Sequence, residues 1–293
     1  MNTNIIQKSF SYLFLGLFIV VLFACKKQNE IENPIIPTPE VNPPVGETGM
    51  ITFNGYPNGV YSSAMARNDF YGTNISSWKD NRAEIIDKML RVKLMPGDVN
   101  QGFYPQFDIV DGTSYEVSFD VKFAKDFDWR AGGKLGVGFG IGDVIAGGDP
   151  TNGNGGSARI MWNQTSSGKI IFKPYLYYTG MPDQYGTNVV NSAFYPQSGS
   201  LKDDTWYNIK MRVKSNTNFE ANGSIEVKIN GLEILNSKTI NWGDNTGGKN
   251  KGWIKTLMFQ TFRGGQGAEW ESAVEDYIFY DNIQVTKDPL TPF

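Results

Sequence analysis

The chain has 293 residues, 40% hydrophobic and 14% aromatic, with a formal net charge of −3, one cysteine and no histidine. That apolar content suits a substantial core, and a charge so near zero gives no reason to expect a nucleic acid partner. The lone Cys25 excludes a disulfide framework and a thiolate metal cluster, and the missing histidine excludes Ser-His-Asp and Cys-His catalysis and the usual zinc sites.

The N-terminus reads as an address. Lys8 lies in a polar stretch, and Leu13 to Ala24 form an apolar run too short to span a bilayer comfortably. The run ends in Leu22-Phe23-Ala24-Cys25, which resembles a bacterial lipobox with small Ala24 ahead of the cysteine to be lipidated. An ordinary secretory signal with a chance cysteine is the other reading. Lys26 and Lys27 follow, then Ile35-Ile36-Pro37-Thr38-Pro39 and Asn42-Pro43-Pro44. Proline fixes φ and favours extended polyproline II, so this segment reads as a semi-rigid tether. The expected organisation is a lipoprotein signal over 1–24, a lipidated Cys25 with tether over 25–48, and one folded domain over 49–293. The domain is expected to be monomeric. It would be lipid-anchored to the bacterial outer membrane, facing the periplasm or the cell surface.

From about residue 49 the apolar pattern alternates with period two. In Tyr115 to Phe123 the residues Tyr115, Val117, Phe119, Val121 and Phe123 share one face, and Glu116, Ser118, Asp120 and Lys122 the other. Trp206 to Lys214, Gly223 to Gly231 and Tyr277 to Val285 repeat the pattern. Turn pairs separate them: Asp111-Gly112, Asn222-Gly223, Asn230-Gly231 and Asp244-Asn245. Many strands without long helical patterns predict an all-β fold, an antiparallel β-sandwich or jelly roll of the concanavalin-like kind.

Three stretches carry candidate chemistry. In Trp129 to Asp143, glycine alternates at 136, 138, 140 and 142. Alternating glycine leaves one strand face bare, open to another backbone or to a polymer, and Lys134 is expected to project into the same space. The segment Gly155 to Tyr178 reads as a hairpin. Pairing symmetric about Ser166 sets Ser157 opposite Tyr175 and Arg159 opposite Lys173, with Tyr177 on the same face. Met161 and Ile171 dilute that face, and Ile160, Trp162, Phe172, Leu176 and Tyr178 form the other. Downstream, Phe259 to Trp270 joins a strand to a Gly-Gly turn and an aromatic ring suited to stacking a sugar. Asp143, Asp149, Asn152 and Asn154 form an oxygen-rich loop in which a structural calcium is conceivable. The spacing matches no calcium-loop pattern, and no cofactor or other metal is called for.

With these pieces in order, the chain resembles the alginate-lyase-like jelly rolls of polysaccharide lyase family 14. The landmarks begin at Arg82, Leu90-Arg91-Val92 with Pro96-Gly97, Tyr115-Glu116-Val117 with Phe127, and Gly132-Gly133-Lys134-Leu135. They continue through Ser157, Arg159 and Trp162, Tyr175 and Tyr177, Gln184-Tyr185-Gly186 and Trp206. The last are Asn222-Gly223 with Asn230-Gly231, Phe259 to Gly265, and Asp281-Asn282. The resemblance implies that Lys134, Ser157, Arg159, Tyr175 and Tyr177 are catalytic, with Tyr178 the alternative tyrosine. It implies an anionic polysaccharide partner, with Lys173, Gln184, Tyr185, Gln260, Arg263 and Trp270 as candidate substrate ligands. Two departures stand out: Gly136 where the family often has proline, and a longer turn between the Ser/Arg and Tyr/Tyr strands.

The residue types suit β-elimination from a uronate. The carboxylate must be neutralised before the proton on C5 can leave, a task for Arg159, with Ser157 as a further donor. A phenol, ordinarily with a pKa near 10, is the candidate base. One cation about 4 Å away at an effective dielectric of about 20 contributes about 4 kcal/mol, roughly three pKa units. A second tyrosine or Lys134 would protonate the leaving oxygen. A non-catalytic glycan-binding lipoprotein on the same fold is the rival reading. A glycoside hydrolase fits less well, because it needs paired carboxylates on one strand face.

Overall fold

The computed structural model describes residues 49–70, 74–186 and 192–290. The expected signal, Cys25 and tether lie outside the described residues. The first strands are β1 Met50–Ile51, β2 Gly59–Val60, β3 Ile75–Ser76, β4 Ala83–Ile86, β5 Met89–Leu94 and β6 Gly102–Phe103. Longer ones follow: β7 Gln106–Gly112, β8 Ser114–Phe123, β9 Gly132–Gly142, β10 Gly155–Gln164 and β11 Ile170–Tyr177. The C-terminal strands are β12 Trp206–Lys214, β13 Gly223–Ile229, β14 Leu232–Ile240, β15 Ile254–Phe259, β16 Thr261–Arg263 and β17 Asp276–Lys287. Among the described residues one α-helix, Ser63–Phe70, interrupts them.

All recorded strand pairings are antiparallel, and they build two sheets. The larger runs β14-β13-β12-β8-β17-β5-β4-β2, with β1 added on β17; the smaller runs β11-β10-β9-β15-β7-β3, with β16 joining β9 to β6. This is the antiparallel jelly roll that the alternation predicts. Asn230 and Gly231, with φ of 49° and 78°, close the β13–β14 hairpin in the left-handed conformations that such tight turns need.

The core lies between the sheets. On β8 the five inward residues are fully buried, while Glu116, Ser118, Asp120 and Lys122 on the outer face are half-buried. Aromatic pairs bridge the layers: Tyr115 to Phe139 at 5.7 Å, Phe123 to Trp162 at 5.5 Å and Phe259 to Tyr280 at 4.9 Å between ring centroids. Such pairs add about 0.5–1.5 kcal/mol each beyond the area they bury. The smaller sheet departs from the alternation. β9 and β11 are buried almost residue by residue, as is β10 from Gly155 to Trp162. Strands buried on both faces need something on the outer face. Here loops and large polar side chains cover it, and they form the site.

Candidate active site

Pairing of β10 with β11 sets the first part of the geometry. Ser157 lies opposite Tyr177, Arg159 opposite Tyr175, and Met161 opposite Lys173. The hairpin therefore centres on Ser167, not Ser166, and the expected register is two residues out. Because side chains repeat every two residues, the sorting of faces survives the shift. Met161, Tyr175 and Tyr177 cluster with Ile145 on the outer face, while Ile160, Trp162, Phe172 and Leu176 enter the core and Tyr178 packs against it.

On the other side of β10, β9 carries a bulge. Ala158 pairs with Phe139 but Ile160 pairs with Leu135, so Arg159 faces three residues of β9. Gly136 sits in the bulge with φ of 55°. Proline cannot adopt that angle, so the departure at this position is a change of backbone. Gly136 N–H donates to Tyr280 Oη at 3.1 Å, and its carbonyl accepts from Gln260 N–H at 2.8 Å. The expectation that the alternating glycines clear one open face is corrected here, although Lys134 does reach a cleft. A Cβ at Gly136 would come within 2.6 Å of Phe119, and one at Gly138 within 2.3 Å of the Ala158 carbonyl. The bare positions admit protein, not a polymer.

Lys134, Arg159, Lys173, Tyr175, Tyr185, Gln260 and Trp270 all line one cleft of about 770 Å³. Its charged lining is cationic throughout; no carboxylate lines it among the described residues. Lys134 Nζ lies 4.5 Å above the Tyr175 ring, and Arg159 Cζ lies 5.1 Å from that ring and 5.4 Å from the Tyr177 ring. Arg159 is 4% exposed and donates from Nη1 to Gln260 Oε1 at 3.0 Å, while its Nε and Nη2 are buried without a hydrogen-bond partner. Arg159 is therefore a charge set into the cleft floor under two phenol rings. Since Gln260 accepts through oxygen, its amide nitrogen is left to donate.

Protonation follows from burial. Desolvation, with Arg159 and then Lys173 adding repulsion, brings the Lys134 ammonium down to about 7. The Tyr175 phenol moves the other way. Burial and its hydrogen bond to Tyr177 raise it above the ordinary 10, and the opposing pull of Arg159 does not compensate. A cation-lowered phenol was expected; desolvation wins instead.

Four predicted residues lie elsewhere. Ser157 and Tyr177 are completely buried behind the cleft wall. Gln184 is exposed beside Gly148 and does not line the cleft. Arg263 is 0% exposed and pairs with Asp276 and the Asp128 carbonyl, its guanidinium 5.1 Å from the Phe127 ring. A charge so enclosed cannot meet a polymer, which corrects its assignment as a substrate ligand. In the oxygen-rich loop, both Asp143 oxygens accept from Lys251 Nζ at 2.8 Å. Among the described residues no cluster of metal-ligating side chains forms.

Sequence reasoning missed Asn100, Tyr104, Asn163 and Phe262, which also line the cleft. Asn163 continues the parity of Ser157 and Arg159 and was within reach of that argument. Asn100 was not: it is brought in by its side chain donating to the Gly265 carbonyl at 2.6 Å, across 165 positions of sequence.

The fold is that of a polysaccharide lyase. The chain belongs to the family described as Polysaccharide lyase 14, whose model matches residues 96–283. It is 39% identical to alginate lyase Aly36B, with a TM-score of 0.77 over 85% of this chain and 100% of that one. A mutant of that lyase in complex with an alginate trisaccharide gives 0.78, at the same identity, over 84% of this chain and 100% of that one. Alginate lyase vAL-1 from Chlorella virus shares the fold at 22% identity and a TM-score of 0.59, over 78% and 98% of the two chains. An exolysin of Paramecium bursaria Chlorella virus 1 is 26% identical over 219 residues, 66% of this chain and 32% of its own length. The chain thus spans about a third of that curated relative.

Proposed function

We propose that this domain cleaves an alginate- or glucuronan-type polyuronate by β-elimination, with Lys134 as base and Tyr175 as acid. The observation that carries it is the Lys134 amine, 4.5 Å from the Tyr175 ring, in a cleft whose charged lining is wholly cationic. The fixed charge of Arg159, the Gln260 amide and Lys173 offset the uronate carboxylate, which makes the C5 proton acidic enough to remove. Near neutral pH a large fraction of Lys134 is the free amine, and that amine takes the C5 proton. The C5 electron pair forms the C4=C5 double bond, the C4–O bond breaks, and the leaving oxygen takes the Tyr175 proton. The ammonium formed at Lys134 then returns a proton to the phenolate, which restores both groups. This reverses the expected roles, since a phenol raised by burial is a better donor than base. Similarity to a lyase whose mutant has been solved in complex with an alginate trisaccharide supports the substrate class.

The test is turnover of alginate, glucuronan and a neutral glucan by the purified domain, followed by ultraviolet absorbance of the unsaturated product. Absorbance should rise with a polyuronate and stay flat with the glucan. Binding of every polyuronate without unsaturated product would leave the glycan-binding reading standing instead.

A further inference from the structure

Two buried hydroxyls stand in the site without facing the cleft. Ser157 Oγ donates to the Ile145 carbonyl at 2.7 Å, and Tyr177 Oη accepts from Gly148 N–H at 3.1 Å. The two residues are direct cross-strand partners, and each is 0% exposed. Both bonds end on the same short loop after β9, three residues apart. That loop contributes Ala146 and Gly147 to the cleft. From the other side, the Tyr185 ring closes on Gly148, where a Cβ would stand 3.0 Å from it. Ile145 adds the apolar part, buried against Met161, Tyr175 and Tyr177.

We propose that Ser157 and Tyr177 are positioning residues that dock the Ile145–Gly148 loop as a wall of the polysaccharide cleft, and that this wall, not their hydroxyl chemistry, is their contribution to the reaction. The proposal rests on the lyase reading and deepens it. Sterics agree: Gly147 has φ of 67°, a Cβ there would meet nothing within 4 Å, and Gly148 has φ of 95°. The loop therefore offers the sugar a backbone edge, held from behind at two points. A wall of this kind binds ground state and transition state alike, so its loss raises KM more than it lowers kcat.

The experiment compares Tyr177→Phe, Ser157→Ala and Tyr175→Phe by steady-state kinetics on alginate and by amide hydrogen exchange of the free protein. Each change removes one hydroxyl or one small polar atom and keeps the packing, and thermal melts confirm folding. Loop amides should exchange roughly tenfold faster in the first two variants, the loss expected for one hydrogen bond. Their KM should rise about tenfold with kcat changed by less than about threefold, whereas Tyr175→Phe should lose on the order of 10²-fold in kcat. A kcat loss in Tyr177→Phe equal to that of Tyr175→Phe, with loop exchange unchanged, makes Tyr177 catalytic and overturns the proposal. Faster exchange with unchanged KM overturns the wall. Should the parent protein turn over no polyuronate, the lyase reading falls. Exchange and the binding of alginate trisaccharide then still decide the loop's role.

Discussion

Lys134 has its folded-state pKa near 7 against an ordinary 10.5. A shift of that size is worth roughly 5 kcal/mol between the two protonation states. Below pH 7 the amine is charged in both folded and unfolded chains, and the folded chain bears the full cost of desolvating it. Between pH 7 and 10.5 the unfolded chain binds more protons, so stability rises with pH through that window; above it the cost is gone. The cation–π contact with Tyr175, worth about 2 kcal/mol, offsets part of that cost without reversing the sign. Lys134→Met should therefore abolish turnover and stabilise the fold at pH 6 by a few kcal/mol. The gain should shrink towards zero by about pH 10.5. Denaturant midpoints at pH 6 and 10 check this; an equal gain at both would refute the assigned pKa.

At the scale of the elements, Arg263 shows what strand context adds. The sequence places it in Phe259 to Gly265 beside two glycines, which reads as a sugar-binding turn. In the fold it is the last residue of β16 and meets Asp276 at the head of β17, two strands of different sheets. Arg263→Ala leaves the Asp276 carboxyl enclosed without its cation, and breaking a buried pair this way costs about 3–5 kcal/mol. The expected result is a lower denaturation midpoint with an unchanged KM for alginate in the folded fraction. A KM effect without destabilisation would return Arg263 to the cleft. Much else was legible, because period two survives errors of register. Placing the hairpin centre one residue early moved every pair by two and still put Arg159, Tyr175 and Tyr177 on the outer face. Lost was anything fixed by irregular backbone. No pattern of alternation could foresee that Gly136 turns into the core at a bulge, or that the chain after β9 folds back to bond Ser157 and Tyr177. Burial was equally invisible, and burial is what reverses the acid and the base in the proposed mechanism.

Across the whole molecule, charge is unevenly placed. The chain carries a net charge of −3, yet the cleft gathers Lys134, Arg159 and Lys173 without a lining carboxylate. A polyanion is therefore attracted locally by a protein that repels it weakly overall. The outer face of the larger sheet, by contrast, pairs its charges: Glu116 with Lys210 and Arg212, Arg91 with Glu84, and Lys122 with Asp204. Screening by salt reaches about 10 Å at 0.1 M and about 3 Å at 1 M, so the cleft's attraction for an approaching polymer is salt-sensitive. In the proposed mechanism the chemical step occurs among buried groups and is much less so. Raising sodium chloride from about 0.05 to about 0.5 M should raise KM for a polyuronate several-fold and leave kcat within about twofold. Lys173→Gln, which removes the most exposed of the three cations, should flatten that dependence. Steady-state kinetics across the salt series provide the check. A KM indifferent to salt in the parent protein would mean that hydroxyl recognition, and not charge, brings the polymer into the cleft.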